Sequence, residues 1–315
     1  MTVLELLKRT SEYFLKHGVE NPRLNIDLLT AKILGCGRMD LYLQFDRELH
    51  EEELERLRDL VRRRVTGEPL QHLLGDVEFL ELTFNSDSRA LIPRPETELL
   101  VETLLRRFSP LQGLRKKPKT RAVPLGETAP PAVVDAETDA RAAYPRVRLL
   151  DLATGSGVIA LSLAHHWPGA EVTATDASIE ALALAGENAA KLALAERVRF
   201  LAGDLFAALP AGEPRFHGIV SNPPYIPSGE LPALQREVKF DPALALDGGA
   251  DGLNLIRRLI DQAPSHLLPG AWLALEIHHD QAARVQDLLQ QAGFTGIEVV
   301  LDYNDIERFV IGLSR

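Results

Sequence analysis

From residue 147 to the end, apolar strand-like segments alternate with helix-like ones, and this pattern restricts the fold more than any other feature of the chain. Strands are predicted at 147–152, 171–175, 198–201, 218–221, 271–277, 297–300 and 308–311. Helices are predicted at 158–165, 179–194, 253–267 and 282–292. Such alternation implies a mostly parallel sheet covered by helices on both faces. In sheets of that kind ligands bind at the carboxyl ends of the strands. The loops that follow the strands are therefore where chemistry is expected.

The first 65 or so residues read differently, as helices. Thr2 and Glu5 have capping-box spacing, and Leu4, Leu7, Ser11, Phe14 and Leu15 follow a helical period. Pro22 suits the first turn of a second helix that ends near Gly35. A third helix is expected over 51–65, with Leu54, Leu57, Val61 and Val65 on one stripe. Its closing Arg62-Arg63-Arg64 run reads as a solvated helix end whose cations suit the helix dipole. A strand pair is expected within 76–92, and a helix over 96–108 after the stiff Pro93-Arg94-Pro95 turn.

These readings divide the chain into a helical N-terminal domain (1–75), a connecting strand pair and helix (76–108), a segment at 109–147, and the alternating domain (148–315). The 109–147 segment carries six prolines, seven basic residues and four acidic ones, with almost no periodicity. Structureless loops of that length are rare inside compact domains, so it reads as a Pro-rich charged linker or insertion.

Charge narrows the partner. Residues 1–100 hold 14 Lys/Arg against 19 Asp/Glu, and residues 148–315 hold 12 against 21. Nucleic-acid affinity comes mainly from basic residues that neutralise phosphates, so both lobes have the wrong sign. No apolar run approaches the roughly 18–20 residues that cross a bilayer. The amphipathic start, with Glu5 and Glu12, does not read as a signal peptide. The single cysteine, Cys36, excludes an internal disulfide. These features point to a cytoplasmic enzyme or binder.

After the first strand of the alternating domain comes Asp151-Leu152-Ala153-Thr154-Gly155-Ser156-Gly157. Gly155 and Gly157 permit a tight turn and let backbone N–H groups approach a ligand. Asp176 closes the second strand, where an acid can accept both hydroxyls of a ribose. Gly203-Asp204-Leu205-Phe206 closes the third, placed to meet an adenine edge and face. Gly155 to Ala160 also matches the dinucleotide fingerprint with Ala in third place, so a nicotinamide dehydrogenase is a rival on this segment. Asp151 and Asp204 favour S-adenosyl-L-methionine: a carboxylate suits an ammonium tail and repels a pyrophosphate.

Asn222-Pro223-Pro224-Tyr225, after the fourth strand, favours methyl transfer to a planar NH2 group. An amide nitrogen is a poor nucleophile because its lone pair is delocalised. The side-chain oxygen of Asn222 can accept one N–H and the carbonyl of Pro223 the other. Two fixed acceptors stabilise the positive charge that grows on nitrogen during attack. Pro223-Pro224 supplies stiffness and no N–H, and Tyr225 can lie against the flat target.

These residues resemble the HemK/PrmC family, the N5-glutamine methyltransferases of peptide chain release factors. The resemblance extends through Gly67-Glu68-Pro69-Leu70-Gln71-His72, Leu91-Ile92-Pro93-Arg94-Pro95-Glu96-Thr97-Glu98, the glycine loop, Asn222 to Tyr225, and the tail from Asp302 to Arg308. It implies a class I, Rossmann-like methyltransferase sheet of seven strands, the last antiparallel, with a small helical N-terminal domain that helps dock the release factor. It implies that Ala153, Thr154, Gly155, Ser156, Gly157, Asp176, Asp204, Leu205 and Asn222 hold S-adenosyl-L-methionine. Asn222, Pro223, Pro224 and Tyr225 would hold the glutamine of a Gly-Gly-Gln loop. The family usually has glycine where this chain has Ala153, so slightly altered cofactor packing with retained activity is expected.

Three alternatives remain beside the dehydrogenase: a glutamine methyltransferase of a ribosomal protein, an adenine-N6 nucleic-acid methyltransferase, and a non-catalytic binder on the same fold. The adjacent pairs His165-His166 and His278-His279 are expected to point apart, and no metal site is expected.

Overall fold

The computed structural model describes residues 1–109 and 144–315, so the core of the expected linker, 110–143, lies outside the described residues. The chain divides into two compact units. The first comprises Met1–Val77, Ser86–Ser88 and Leu234–Asp241; the second comprises Glu78–Asn85, Arg89–Ala233 and Pro242–Arg315. A short stretch from the middle of the chain thus joins the N-terminal unit, while both its flanks belong to the other.

The first unit is helical. Helix α1 (Val3–Lys16) starts with the expected capping box: Glu5 N donates to Thr2 Oγ1 at 3.3 Å, and Thr2 N to Glu5 Oε2 at 3.1 Å. Its buried face is Val3, Leu6, Leu7, Thr10 and Phe14, whereas Leu15 is 68% exposed. The stripe steps by three or four residues, and Leu15 falls one position past it. Helix α2 (Pro22–Leu34) begins on its proline and stops at Gly35, whose φ of 64° is the left-handed conformation a helix end favours. A 3-10 turn (Arg38–Leu43), α3 (Glu51–Val65) and the short α4 (Leu70–Leu74) complete it, around a core that includes Leu7, Phe14, Ile26, Leu29 and Leu57.

The arginine run at the end of α3 departs from expectation. Arg62 and Arg63 are exposed, but Arg64 is only 4% exposed. Its guanidinium donates to Asn25 Oδ1 at 2.6 Å and to the Glu68 carbonyl at 3.1 Å, and it pairs with Glu237. Arg236 in the same late segment donates to the Thr66 carbonyl at 3.1 Å. A buried guanidinium is tolerated because its donors are met this way.

The chain then forms a two-stranded ribbon, β1 (Asp76–Phe79) with β2 (Leu82–Asn85), and helix α5 (Pro95–Phe108). Arg94 is held extended between its two prolines and precedes the first turn of α5.

The second unit is built on seven strands: β3 (Val147–Leu152), β4 (Ala170–Asp176), β5 (Val198–Ala202), β6 (Phe216–Ser221), β7 (Leu267–Glu276), β8 (Thr295–Leu301) and β9 (Glu307–Leu313). They lie in the order β5-β4-β3-β6-β7-β9-β8. The five from β3 to β7 pair in parallel, and β9 runs antiparallel between β7 and β8. The expected seven-stranded sheet with a reversed last strand is therefore present. Helices α6 (Val158–His166), α7 (Ile179–Lys191), α8 (Asn254–His266) and α9 (Ala282–Gln291) connect the strands. Gly218 on β6 permits close packing: a Cβ there would sit 2.1 Å from the Trp272 ring, which stacks on Phe108.

From β3 the chain first winds outward through β4 and β5, then returns to β6 on the other side of β3. The crevice at that reversal, outside the carboxyl ends of the strands, is where doubly wound sheets bind ligands. Leu152 pairs with both Thr175 and Ser221, so the loops after β3, β4 and β6 emerge at one edge.

Candidate active site

A cavity of about 720 Å³ opens at this edge of the second unit. Of the residues expected to hold the cofactor, Ala153, Thr154, Gly155, Ser156, Asp176, Asp204, Leu205 and Asn222 line it. Pro224 of the expected substrate residues lines it too. Asp151, Gly157, Pro223 and Tyr225 are not among its lining residues.

The glycine loop takes its shape from three residues with positive φ: Ala153 (57°), Gly155 (56°) and Gly157 (83°). Gly157 also lets helix α6 approach α7, since a Cβ would lie 3.1 Å from that of Ala185. Asp151 is fully buried beneath the loop rather than facing the cavity. Its Oδ2 accepts from the Thr154 hydroxyl at 2.6 Å and from Ala160 N at 3.1 Å. Its Oδ1 has no hydrogen-bond partner among the described residues. Through Oδ2 the side chain ties the loop to the first turn of α6, and burial pushes its pKa up to about 7.

Asp176 does face the cavity. Its Oδ2 accepts from Gly155 N at 2.8 Å and its Oδ1 from Ser178 N at 2.9 Å. Burial raises its pKa while these N–H groups pull it down. Each oxygen keeps a second lone pair, so the carboxylate can still accept two hydroxyl protons. At the end of β5, Gly203 adopts φ 153° where a Cβ would meet Ala208 at 2.9 Å, and Leu205 is held at φ 49°. Asp204 pairs with Arg258 at 2.5 Å.

Asn222 stands at the tip of β6. Its Nδ2 donates to Thr97 Oγ1 at 3.1 Å. Thr97 donates its hydroxyl to Glu276 Oε2 at 2.7 Å, and Tyr225 donates its own to Glu276 Oε1 at 3.2 Å. Burial pushes Glu276 up to about 7 and raises Tyr225 well above the ordinary phenol value. The Tyr225 carbonyl accepts from Gln281 Nε2 at 2.9 Å, and a Cβ on Gly252 would lie 2.2 Å from that oxygen. The tetrapeptide is therefore braced from several sides.

Sequence reasoning missed the rest of the wall. Thr97 lies in the 91–98 segment that carries the family resemblance but received no role there. Glu276 is the last residue of β7 and the last but one of the expected 271–277 strand, and the carboxyl-end rule alone marks it as a position to examine. Pro242, Leu244, Ala245 and Asp247 to Gly249, with Asn254 and Arg258, also line the cavity and showed no motif.

The two histidine pairs behave differently. His166 Nε2 lies 3.2 Å from the Leu80 carbonyl, and its ring stands edge-on to His165. The rings of His278 and His279 approach to 4.1 Å, against the expectation that they point apart. With Asp280 they form a group whose ligand atoms lie within 4.8 Å of one another. The reason is that both follow the end of β7, where strand alternation no longer applies. His278 Nδ1 is bonded to Asp280 Oδ1 at 2.8 Å.

The doubly wound sheet with one reversed strand, and a glycine loop and acid at its cavity, define the class: an S-adenosyl-L-methionine-dependent methyltransferase of Rossmann-like fold. Residues 139–236 match the methyltransferase small domain, and residues 5–75 match the PrmC N-terminal domain. The chain is 39% identical to the release factor glutamine methyltransferase of Geobacter sulfurreducens, over 99% of its own length and 96% of the relative's. It is 37% identical to that of Moorella thermoacetica, over 100% and 99%. Among solved structures, a T. thermophilus 16S rRNA N2 methyltransferase in complex with AdoMet and guanosine is 21% identical, covers 76% of this chain and 50% of that one, and has a TM-score of 0.47. The chain belongs to the release factor glutamine methyltransferase family. The dehydrogenase reading is thereby set aside. Among the described residues, no helix is long and apolar enough to cross a membrane.

Proposed function

We propose that this chain methylates the N5 amide nitrogen of the glutamine in the Gly-Gly-Gln motif of peptide chain release factors, in the cytoplasm. The relatives named for that activity support the substrate. The observation that carries the chemistry is the Asn222 carboxamide, held by Thr97 at the wall of the cavity that Asp176 and the glycine loop also line.

S-adenosyl-L-methionine, when bound, supplies an electrophilic methyl group on its sulfonium. The residues present fit that group. Asp176 retains lone pairs for ribose hydroxyls, and Asp204 and Leu205 lie in the same wall for the base. Ala153 to Ser156 give the loop that backs the rest, and Gly157 lets that loop meet α6. Asp151 serves by holding the loop through Thr154 and Ala160.

Asn222 Oδ1 and the Pro223 carbonyl accept the two N–H groups of the substrate amide and aim its nitrogen. Among the described residues, neither oxygen is bonded to a donor. Pro224 and Tyr225 keep the turn rigid, and Tyr225 backs the flat amide. Positioning of this sort supplies much of the rate gain. The methylated nitrogen sheds its proton readily, so no strong base is required. The helical N-terminal unit would dock the release factor. With a net charge of −10, the chain is not expected to bind nucleic acid directly, nor a membrane.

The test is incubation with labelled S-adenosyl-L-methionine and a release factor, followed by mass-spectrometric mapping. Label is expected on the Gly-Gly-Gln glutamine. Label absent there refutes the substrate; label on a ribosomal protein or an adenine base would replace it.

A further inference from the structure

We propose that Thr97 and Glu276 are positioning residues that decide which way round the Asn222 carboxamide sits, and so whether the site presents an acceptor or a donor to the substrate. The inference rests on the Asn222 clamp proposed above.

A carboxamide can occupy its place in two orientations that differ by exchange of oxygen and nitrogen, and only the hydrogen-bonding surroundings select one. With Oδ1 toward the cavity, Asn222 accepts from a substrate NH2 group. With Nδ2 toward the cavity, donor faces donor and the amide is turned away. The selecting neighbour is the Thr97 hydroxyl, 3.1 Å from Nδ2. A hydroxyl alone is indifferent, because it can donate or accept. Here it has a single proton, and Glu276 Oε2 takes that proton at 2.7 Å. Above about pH 7, where Glu276 is ionised, the carboxylate only accepts, so the hydroxyl is left as a pure acceptor on its other side. Only the Nδ2 end of Asn222 can meet it.

Burial makes the selection stringent. Thr97 is 2% and Glu276 1% exposed, so water is excluded as a substitute partner. Glu276 uses its other oxygen to take the Tyr225 hydroxyl proton at 3.2 Å, so one carboxylate fixes both ends of the Asn222-to-Tyr225 turn. The three elements concerned are distant in sequence: the first turn of α5, the tip of β6 and the last residue of β7. Ordinary packing at such a junction would be served as well by apolar side chains. A carboxylate buried there is costly without a task.

The experiment compares Thr97→Val, Thr97→Ser, Glu276→Gln and Asn222→Ala in the full chain, with S-adenosyl-L-methionine and a release factor as substrates. Thr97→Val keeps the shape and removes the hydroxyl. We expect its kcat to fall about 100-fold, the scale of a small misplacement at a reacting centre. KM for the release factor and calorimetric Kd for the cofactor should change little. Thr97→Ser should restore kcat to near the wild-type value. Glu276→Gln, whose NH2 end can donate to the Thr97 hydroxyl and so free its proton to bond the Asn222 oxygen, should lower kcat while leaving cofactor affinity in place. If Thr97→Val does not fold, Thr97→Ala replaces it. A Thr97→Val enzyme with wild-type kcat, beside an inactive Asn222→Ala, overturns the positioning role and leaves the clamp standing. An active Asn222→Ala overturns the clamp and this inference together. A Thr97→Val defect that Thr97→Ser does not rescue, and that follows lost cofactor affinity, marks a merely structural role and also overturns the inference.

Discussion

Ala153 holds a φ of 57°, a conformation that costs an L residue roughly 1–2 kcal/mol. Ala153→Gly should therefore raise stability by about 1 kcal/mol, offset in part by the greater freedom of glycine in the unfolded chain. Denaturant unfolding at equal m-value checks this, and a destabilised variant would show that the methyl group packs usefully. The buried acids give a second prediction. Asp151 and Glu276 are each pushed up to about 7, from 3.8 and 4.5, chiefly by burial. Around Asp151 lie Thr154, the Ala160 N–H and the Asp176 charge; around Glu276 lie Thr97, Tyr225, Arg308 and Glu96. Because the folded state holds these protons more tightly than the unfolded one, stability should fall as pH rises through the window from each free value to about 7, and level off above it. Asp151→Asn should flatten that slope in a plot of Tm against pH; an unchanged slope would count against the shift. At this scale the sequence was legible where a residue acts from its own loop. Asn222 and Asp176 announced themselves by type and by place after a strand. Thr97 and Glu276 did not, because the bonds that give them meaning join residues more than a hundred positions apart. The bonds of Asp151 to Thr154 and Ala160 were not read either, since spacing alone does not say which side of a strand tip a side chain takes.

Among elements, those with a strong period or a local stop signal were readable. Helix α1 began at its capping box, and Thr2→Ala should cost about 1 kcal/mol of stability, measured by denaturant unfolding. Helix α2 ended at its glycine. Helix α7 stops at Lys191, short of the expected 194, because Ala193 takes φ 56° and Leu194 N bonds back to the Ala189 carbonyl at 2.8 Å. That is a glycine-type ending built without glycine, so no composition signal marked it. Strand β7 starts at Leu267, earlier than expected, across Pro269 and Gly270, two residues that normally argue against a strand. The short α4 and the 3-10 turns have too few residues to show a period. Tight packing between elements was also hidden. Gly218→Ala should be destabilising by roughly 1–3 kcal/mol through its clash with Trp272, with cofactor affinity as the control.

For the molecule as a whole, strand–helix alternation and the sheet reversal it implies were enough to anticipate both the architecture and the edge where the cavity lies. Charge was legible at this scale too. A net charge of −10 leads us to expect no salt-sensitive binding of RNA or DNA in fluorescence anisotropy; a steep fall of affinity with salt would contradict it. What charge and period did not reveal is the path of the chain, in which Leu234–Asp241 leaves one unit to complete the other. Arg64 finds its Glu237 partner only through that excursion. Scissors applied once to the gene, near codon 77, would yield a fragment that keeps a guanidinium folded inward and loses the acid that answers it. A transplant of this helical unit onto another enzyme has to carry a strand of its host's thread with it.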